Sequence, residues 1–156
     1  MAGQIYVKLD GIAGESEDRE HADFFDAESF DFGGSQNLDP GTFQSTGRVN
    51  YDTAMFTVKH DKQLATLFQY MNENKLVETV TVHWRQVVEE GDVLAIDMEL
   101  RKAKVVSVHS SLEDQPGSAM NSMFTVGLIY AEYTITTASA AGDGGTTDYE
   151  VRVGRG

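Results

Sequence analysis

The sequence predicts a mainly β protein, a small antiparallel β-barrel or two packed sheets with one α-helix. Three observations carry this. Stretches such as VETVTVHWRQV (Val77 to Val87) alternate apolar and polar side chains with a period of two, the pattern of half-buried strands. Only one stretch, about 61–74, has helical spacing. Parallel pairing needs a crossover of a dozen or more residues, usually a helix, so a chain with one helix points to antiparallel connections.

The elements follow in order. QIYVKL (Gln4 to Leu9) is rich in β-branched and aromatic residues and reads as a first strand. The charged stretch after it reads as a loop. DAESFDF (Asp26 to Phe32) alternates, which places Glu28, Phe30 and Phe32 on one face and Ala27, Ser29 and Asp31 on the other. Gly33 and Gly34 end it. Ser35 to Gly47 is dominated by loop-forming residues, and a loop that long in a compact domain is usually functional or mobile. Arg48 to Val58 is extended again.

The helix has Asp61 as its expected N-cap. Leu64, Leu67, Phe68 and Met71 follow at i, i+3, i+4, i+7 and form its core face. Asn72 and Asn74 are the expected stops. In Val77 to Val87, Val80, Val82 and Trp84 share one face and Thr79, Thr81, His83 and Arg85 the other. Asp92 to Ser110 reads as a long strand with Leu94, Ile96, Met98 and Leu100 on one face. Met123 to Thr137 reads as another, and DYEVRV as a short last one. The sum is about seven strands and one helix, with no internal repeat and no linker. A single domain spanning 1–156 is the simplest organisation.

Composition narrows the function classes. The 156 residues suffice for one domain with a real core. The formal net charge is −13. A surface that negative repels nucleic-acid phosphates and anionic membranes, so neither is an expected partner. There is no cysteine, hence no disulfide or thiol chemistry. The first residues lack a basic region followed by an apolar run, so no signal peptide is expected. No apolar run reaches transmembrane length.

Catalysis needs a nucleophile, a base or a metal cage. No GxSxG, P-loop or GxGxxG occurs. His21, His60, His83 and His109 do not pair at the spacing of a helical zinc motif. Each reads as a surface or hydrogen-bonded histidine. GDGG (Gly142 to Gly145) lacks the spaced carboxylates of a calcium loop and reads as a turn. The most suggestive stretch is GIAGESEDREHADFFDAESF, Gly11 to Phe30. Glu15, Glu17, Asp18 and Asp23 offer hard oxygen ligands for calcium. The competing reading is a solvated charged loop entering a half-buried strand, with Arg19 moderating repulsion, and it is the one adopted. No cofactor and no metal is expected.

The same stretch carries a resemblance. The ordered residues Gly14, Glu15, Ser16, Asp18, His21, Phe25, Asp26, Phe30, Phe32, Gly33, Ser35 and Gln36 resemble the opening signature of the Hcp family, the haemolysin-coregulated proteins of type VI secretion systems. FTVKHDKQLATLFQYMNENK resembles the family's strand and single helix, and VLAIDMELRKAKVVSVHSS its long central strand. The chain departs from the family after about Tyr133, where Thr134-Ile135 and Glu150-Val151 stand in place of a Pro-Gln pair and a Trp.

The resemblance implies a tail-tube-like barrel and no enzymatic activity. It implies homohexameric rings with a central channel, stacked into a tube. Spike and sheath proteins would be partners, and secreted effectors would ride in the lumen. The protein would be cytoplasmic before firing and then leave through the type VI machine without a signal peptide. The strand with Ser29 and Asp31 would line the channel, and Asp31 would make it anionic there. Gly14, Glu15, Ser16, Asp18, His21, Gly33, Ser35 and Gln36 would hold structure or subunit contacts. The loops Ser35 to Gly47 and Ser111 to Asn121 would serve ring–ring contacts. Alternatives are a tube protein of a related phage-tail-like contractile machine, a monomeric barrel binding a small ligand or sugar, and, last, a metal-dependent enzyme.

Overall fold

The computed structural model describes residues 4–16, 18–45, 47, 49–59, 62–87, 93–112, 122–138 and 146–152. Among them are ten strands and one α-helix: β1 (Gln4–Leu9), β2 (Phe25–Asp31), β3 (Gly34–Ser35), β4 (Asn50–Tyr51), β5 (Ala54–Lys59), α1 (Leu64–Asn72), β6 (Leu76–Val87), β7 (Val93–Leu112), β8 (Ser122–Ile129), β9 (Glu132–Ala138) and β10 (Thr146–Arg152). The main sheet runs β10-β9-β7-β6-β1-β2-β5-β8, and β8 pairs back onto β7. Six strands therefore close into an antiparallel barrel, and β9 and β10 extend from β7 outside the closed ring. Closure leaves those six strands without a free edge. Val7, Leu9, Phe25, Phe56, Val80, Leu100, Val126 and Leu128 fill the inside and are almost wholly buried.

The long strand β7 makes this arrangement possible. On one side it pairs with β6 from Val93 to Lys104. On the other it meets β9 along Ala95–Arg101 and β8 along Lys104–Leu112. The stretch expected as one strand, Met123 to Thr137, is thus two, broken at Tyr130 and Ala131. The break faces a kink in β7. Lys102 has φ +54°, and the Ala131 N–H donates to the Arg101 carbonyl at 3.0 Å. The left-handed residue shifts the alternation: Met98 and Leu100 point inward before it, Ala103 and Val105 after it. Ile96, grouped with that inward face on the sequence, lies at the far end beside β9 and is 36% exposed.

A second irregularity corrects the reading of β2. Its register against β5 shifts between Ala27 and Ser29, the mark of a β-bulge. Ala27 packs against the core with Phe30 and Phe32. Glu28 does not share their face; it is exposed, with its carboxylate 3.4 Å from Lys59 Nζ. Ser29 and Asp31 do lie opposite Phe30.

Helix α1 is shorter than expected. Asp61 lies outside the described residues, and the N-cap position is Gln63, with no side-chain cap. At the other end Asn74 adopts φ +55°. The Asn74 N–H bonds to the Met71 carbonyl and the Lys75 N–H to the Tyr70 carbonyl, which is the Schellman pattern with Asn in the left-handed position. The Lys75 ammonium then lies 5.2 Å from the Tyr70 ring centroid. Leu67 is fully buried, while Leu64, Phe68 and Met71 are half-buried against the core. Full burial of a leucine stabilises by roughly 1.5–3 kcal/mol; the other three supply part of that.

Arg48 to Val58 is interrupted at Asp52 and Thr53, where the Asp52 N–H bonds to the Gly33 carbonyl at 2.9 Å. The Ser35 to Gly47 loop has internal order. Asp39 Oδ1 accepts the Gly41 N–H at 2.7 Å, Leu38 bridges Ser45, and Phe43 stands 78% exposed at the tip. Residues 113–121 of the second expected contact loop and GDGG at 142–145 lie outside the described residues.

Candidate functional site

The signature residues fall into two clusters. The first, Gly14 to His21, belongs to the 11–24 segment, whose described residues 11–16 and 18–24 fold across the outer face of β1 and β6. Its shape rests on backbone approach. The Gly14 N–H bonds to the Asp23 carbonyl and the Ser16 N–H to the Phe24 carbonyl, both at 2.9 Å. A Cβ on Gly14 would sit 2.5 Å from the Phe24 carbonyl oxygen, so no other residue fits. Glu15 accepts the Lys62 N–H at 3.3 Å and Gln63 donates to the Ala13 carbonyl at 2.8 Å, which ties the segment to the start of α1. Ser16 Oγ accepts the Asp18 N–H at 3.2 Å. Arg19–His21 forms a single 3₁₀ turn.

His21 is the buried centre, 6% exposed. Tyr6 stacks on it with ring centroids 3.9 Å apart, and Phe24 meets it edge-on at 5.0 Å. Its Nε2 lies 3.1 Å from Nδ1 of His83. Its Nδ1 is 3.6 Å from Asp18 Oδ1 and has no hydrogen-bond partner. The Tyr6 hydroxyl donates to Asp18 Oδ2 at 2.8 Å and also touches the Gln4 side chain. Burial and then Asp18 push the Tyr6 phenol up to about 12, so it stays a neutral donor. His83 is pushed below 6.5, mainly by burial, with Arg85 and His21 adding and Asp97 opposing. Arg85 holds Asp97 at 2.6 Å.

Sequence reasoning missed the meeting of His21 and His83. The only available signal was register: Tyr6 faces His83, and His83 faces Asp97, across three strands. The carboxylates do not converge. Among the described residues no three His, Cys, Asp or Glu side chains could share a metal ion. Glu17 lies outside those residues.

The second cluster, Gly33 to Gln36, lies where β3 meets β4. Gly34 packs against the Tyr51 ring, where an added Cβ would be 3.1 Å away. Gly33, Ser35 and Gln36 line a shallow cleft of about 370 Å³ with Phe32, Tyr51 and Tyr133. The Tyr51 and Tyr133 hydroxyls are 3.1 Å apart.

The two lumen candidates lie on a third surface. Ser29, Thr57, Thr125 and His109 stand in register across β2, β5, β8 and β7. Directly opposed residues share a face, so these make a polar row. The Thr57 and Thr125 hydroxyls are 3.1 Å apart. Behind them Phe30, Phe56, Val126 and Val108 form the matching apolar row. Asp31 is exposed beside Ser29, opposite Met55.

Known proteins match this arrangement. The model of the family described as "Type VI secretion system effector, Hcp" matches residues 6–137. No curated protein matches by sequence. Among solved structures, Hcp1 from Salmonella typhimurium superposes with a TM-score of 0.79 at 21% identity, covering 98% of this chain and 96% of its own. A type VI secretion system effector from Yersinia pestis gives 0.74 at 16% identity, covering 96% and 99%. The secreted protein Hcp3 from Pseudomonas aeruginosa gives 0.68 at 14%, covering 97% and 99%. At these identities the structures establish the barrel with its single helix, while the family match spans most of the chain. The chain belongs to the Hcp family and is a tube subunit of a type VI secretion system.

Proposed function

We propose that residues 1–156 act as one tube domain, that six copies close into a ring around a channel, and that rings stack into the inner tube. Sheath proteins drive that tube, a spike protein caps it, and secreted effectors ride in its lumen. The subunit does no chemistry of its own. It works from the cytoplasm and leaves through the machine.

The carrying observation is the polar row of Ser29, Thr57, Thr125 and His109, the first three half-buried and the last exposed among the described residues. It faces away from the core and bears short side chains apart from His109. A channel wall needs that: solvated, without an adhesive apolar patch. Asp31 beside it adds negative charge, which favours cargo with basic patches. A second feature supports ring formation. Among the described strands β10 pairs only with β9, so its outer edge offers unpaired backbone groups to a neighbouring copy. A ring in which one face of a subunit meets a different face of the next covers such an edge.

Light scattering on sizing chromatography, with negative-stain imaging, tests the reading. A hexameric mass and a ring with a central hole are expected. A monomer at every concentration, with no rings, would reject it.

A further inference from the structure

His21 and His83 are 62 positions apart and meet nitrogen to nitrogen at 3.1 Å. A bond between two imidazole nitrogens needs one N–H and one lone pair. It survives with both rings neutral, or with one ring charged. With both charged, each facing nitrogen carries a hydrogen, and the contact turns from attraction to repulsion.

Charged groups face the pair from the segment, β1, β6 and β7, and Asp26 of β2 stands opposite Tyr6. From the segment, Asp18 stands 3.6 Å from His21 Nδ1 and can steady one imidazolium through Oδ1. Its Oδ2 already accepts the Tyr6 hydroxyl from β1. Lys8, also on β1, places its ammonium 5.8 Å from the Phe24 ring and adds positive charge. From β7, Asp97 is 4.0 Å from His83 Nε2, but Arg85 of β6 holds it at 2.6 Å. The carboxylate nearest His83 is thus already matched by a guanidinium.

The segment is fastened at several places. Its start is tied to α1 through Ala13 and Glu15. Beyond Ser16 the contacts with the barrel include the Tyr6–Asp18 and His21–His83 hydrogen bonds, the stacking of Tyr6 on His21 and the packing of Phe24 on His83.

We propose that the His21–His83 pair is an acid-released latch: it fastens residues 18–24 to the outer face of β1 and β6 while the pair holds at most one proton, and a second proton drives the segment off. This inference goes beyond the tube reading and does not depend on it.

Amide hydrogen exchange tests it in the full chain, with rates corrected for intrinsic pH dependence. Between about pH 7.5 and about pH 5, protection of the Ser16, His21 and Phe24 amides is expected to fall about tenfold or more, while that of Val7 and Val82 holds. His83→Gln keeps a neutral amide facing His21 and cannot take up the proton. In that variant the segment is expected to stay protected over the same range. Unchanged protection in the natural sequence, or loss in the variant in step with it, would overturn the proposal. If the variant fails to fold, ring ¹⁵N shifts of the natural protein decide. Protection must fall as the pair takes up its second proton; a fall with the first proton, or without any histidine titration, overturns the latch.

Discussion

Two rows of side chains cross the outside of the same barrel. One runs Asp26, Tyr6, His83, Asp97 across β2, β1, β6 and β7. The other runs Ser29, Thr57, Thr125, His109 across β2, β5, β8 and β7. Both back directly onto the core, and both alternate with it by the same period of two. The first is roofed by the 11–24 segment, and Tyr6 within it is only 5% exposed. The second has no such roof among the described residues. Where no bulge or left-handed residue intervenes, alternation therefore identifies the inward face of a strand, but not whether the outward face meets water. A loop can turn an outer row into a second, smaller interior, with aromatic stacking and buried histidines in place of apolar packing.

Substitutions on either side of this divide should separate the two. Phe56 lies wholly buried beneath the second row, so Phe56→Ala should cost about 3–5 kcal/mol in urea unfolding. That is the interior both rows share. Gly14→Ala acts only on the roofed side, where it forces a Cβ into the Phe24 carbonyl. A loss of about 1–3 kcal/mol is expected. Gly47→Ala, with no atom of the described residues beyond its chain neighbours within 4 Å of the added Cβ, should stay within about 0.5 kcal/mol. Equal effects of the two alanines would mean that the 11–24 segment is not packed as described.

The roofed row should also respond to pH. His83 titrates below its unfolded value of 6.5, so the unfolded chain binds the proton first. Its contribution to stability is fully present above about pH 6.5 and is lost as pH falls through that value toward the lowered one. The urea midpoint should drop on acidification over this range, and His83→Gln should flatten the drop. Effects in the other row are small. Thr57→Val removes the bond to Thr125 and should change stability by less than about 1 kcal/mol. Asp31→Lys should leave the urea midpoint unchanged and weaken co-secretion of basic cargo. Unaltered cargo would remove Asp31 from the lumen.

What the sequence made legible follows the range of the forces involved. β1 was readable to its ends, because a composition rich in β-branched and aromatic residues is purely local. The helix was readable through its four apolar positions. Its N-terminus was not, since Gln63 supplies no capping bond to look for. The bulge in β2 was invisible because it exists only relative to β5. Nothing in LRKAK announces a left-handed residue either. Lys102 adopts it because β7 must change partners there, from β9 to β8. In the signature, Gly14 to His21 was legible as an ordered pattern. What His21 touches was not, because its partner is 62 positions away.

The change of partners along β7 has a mechanical consequence. A load applied at β10 passes through β9 into a strand whose backbone continues, unbroken, into the closed barrel. Pulled along their axes, the seven paired positions of β9 with β10 and the seven of β9 with β7 would be sheared together rather than peeled one at a time. The part of the subunit lying outside the barrel is thereby coupled to the part that resists deformation.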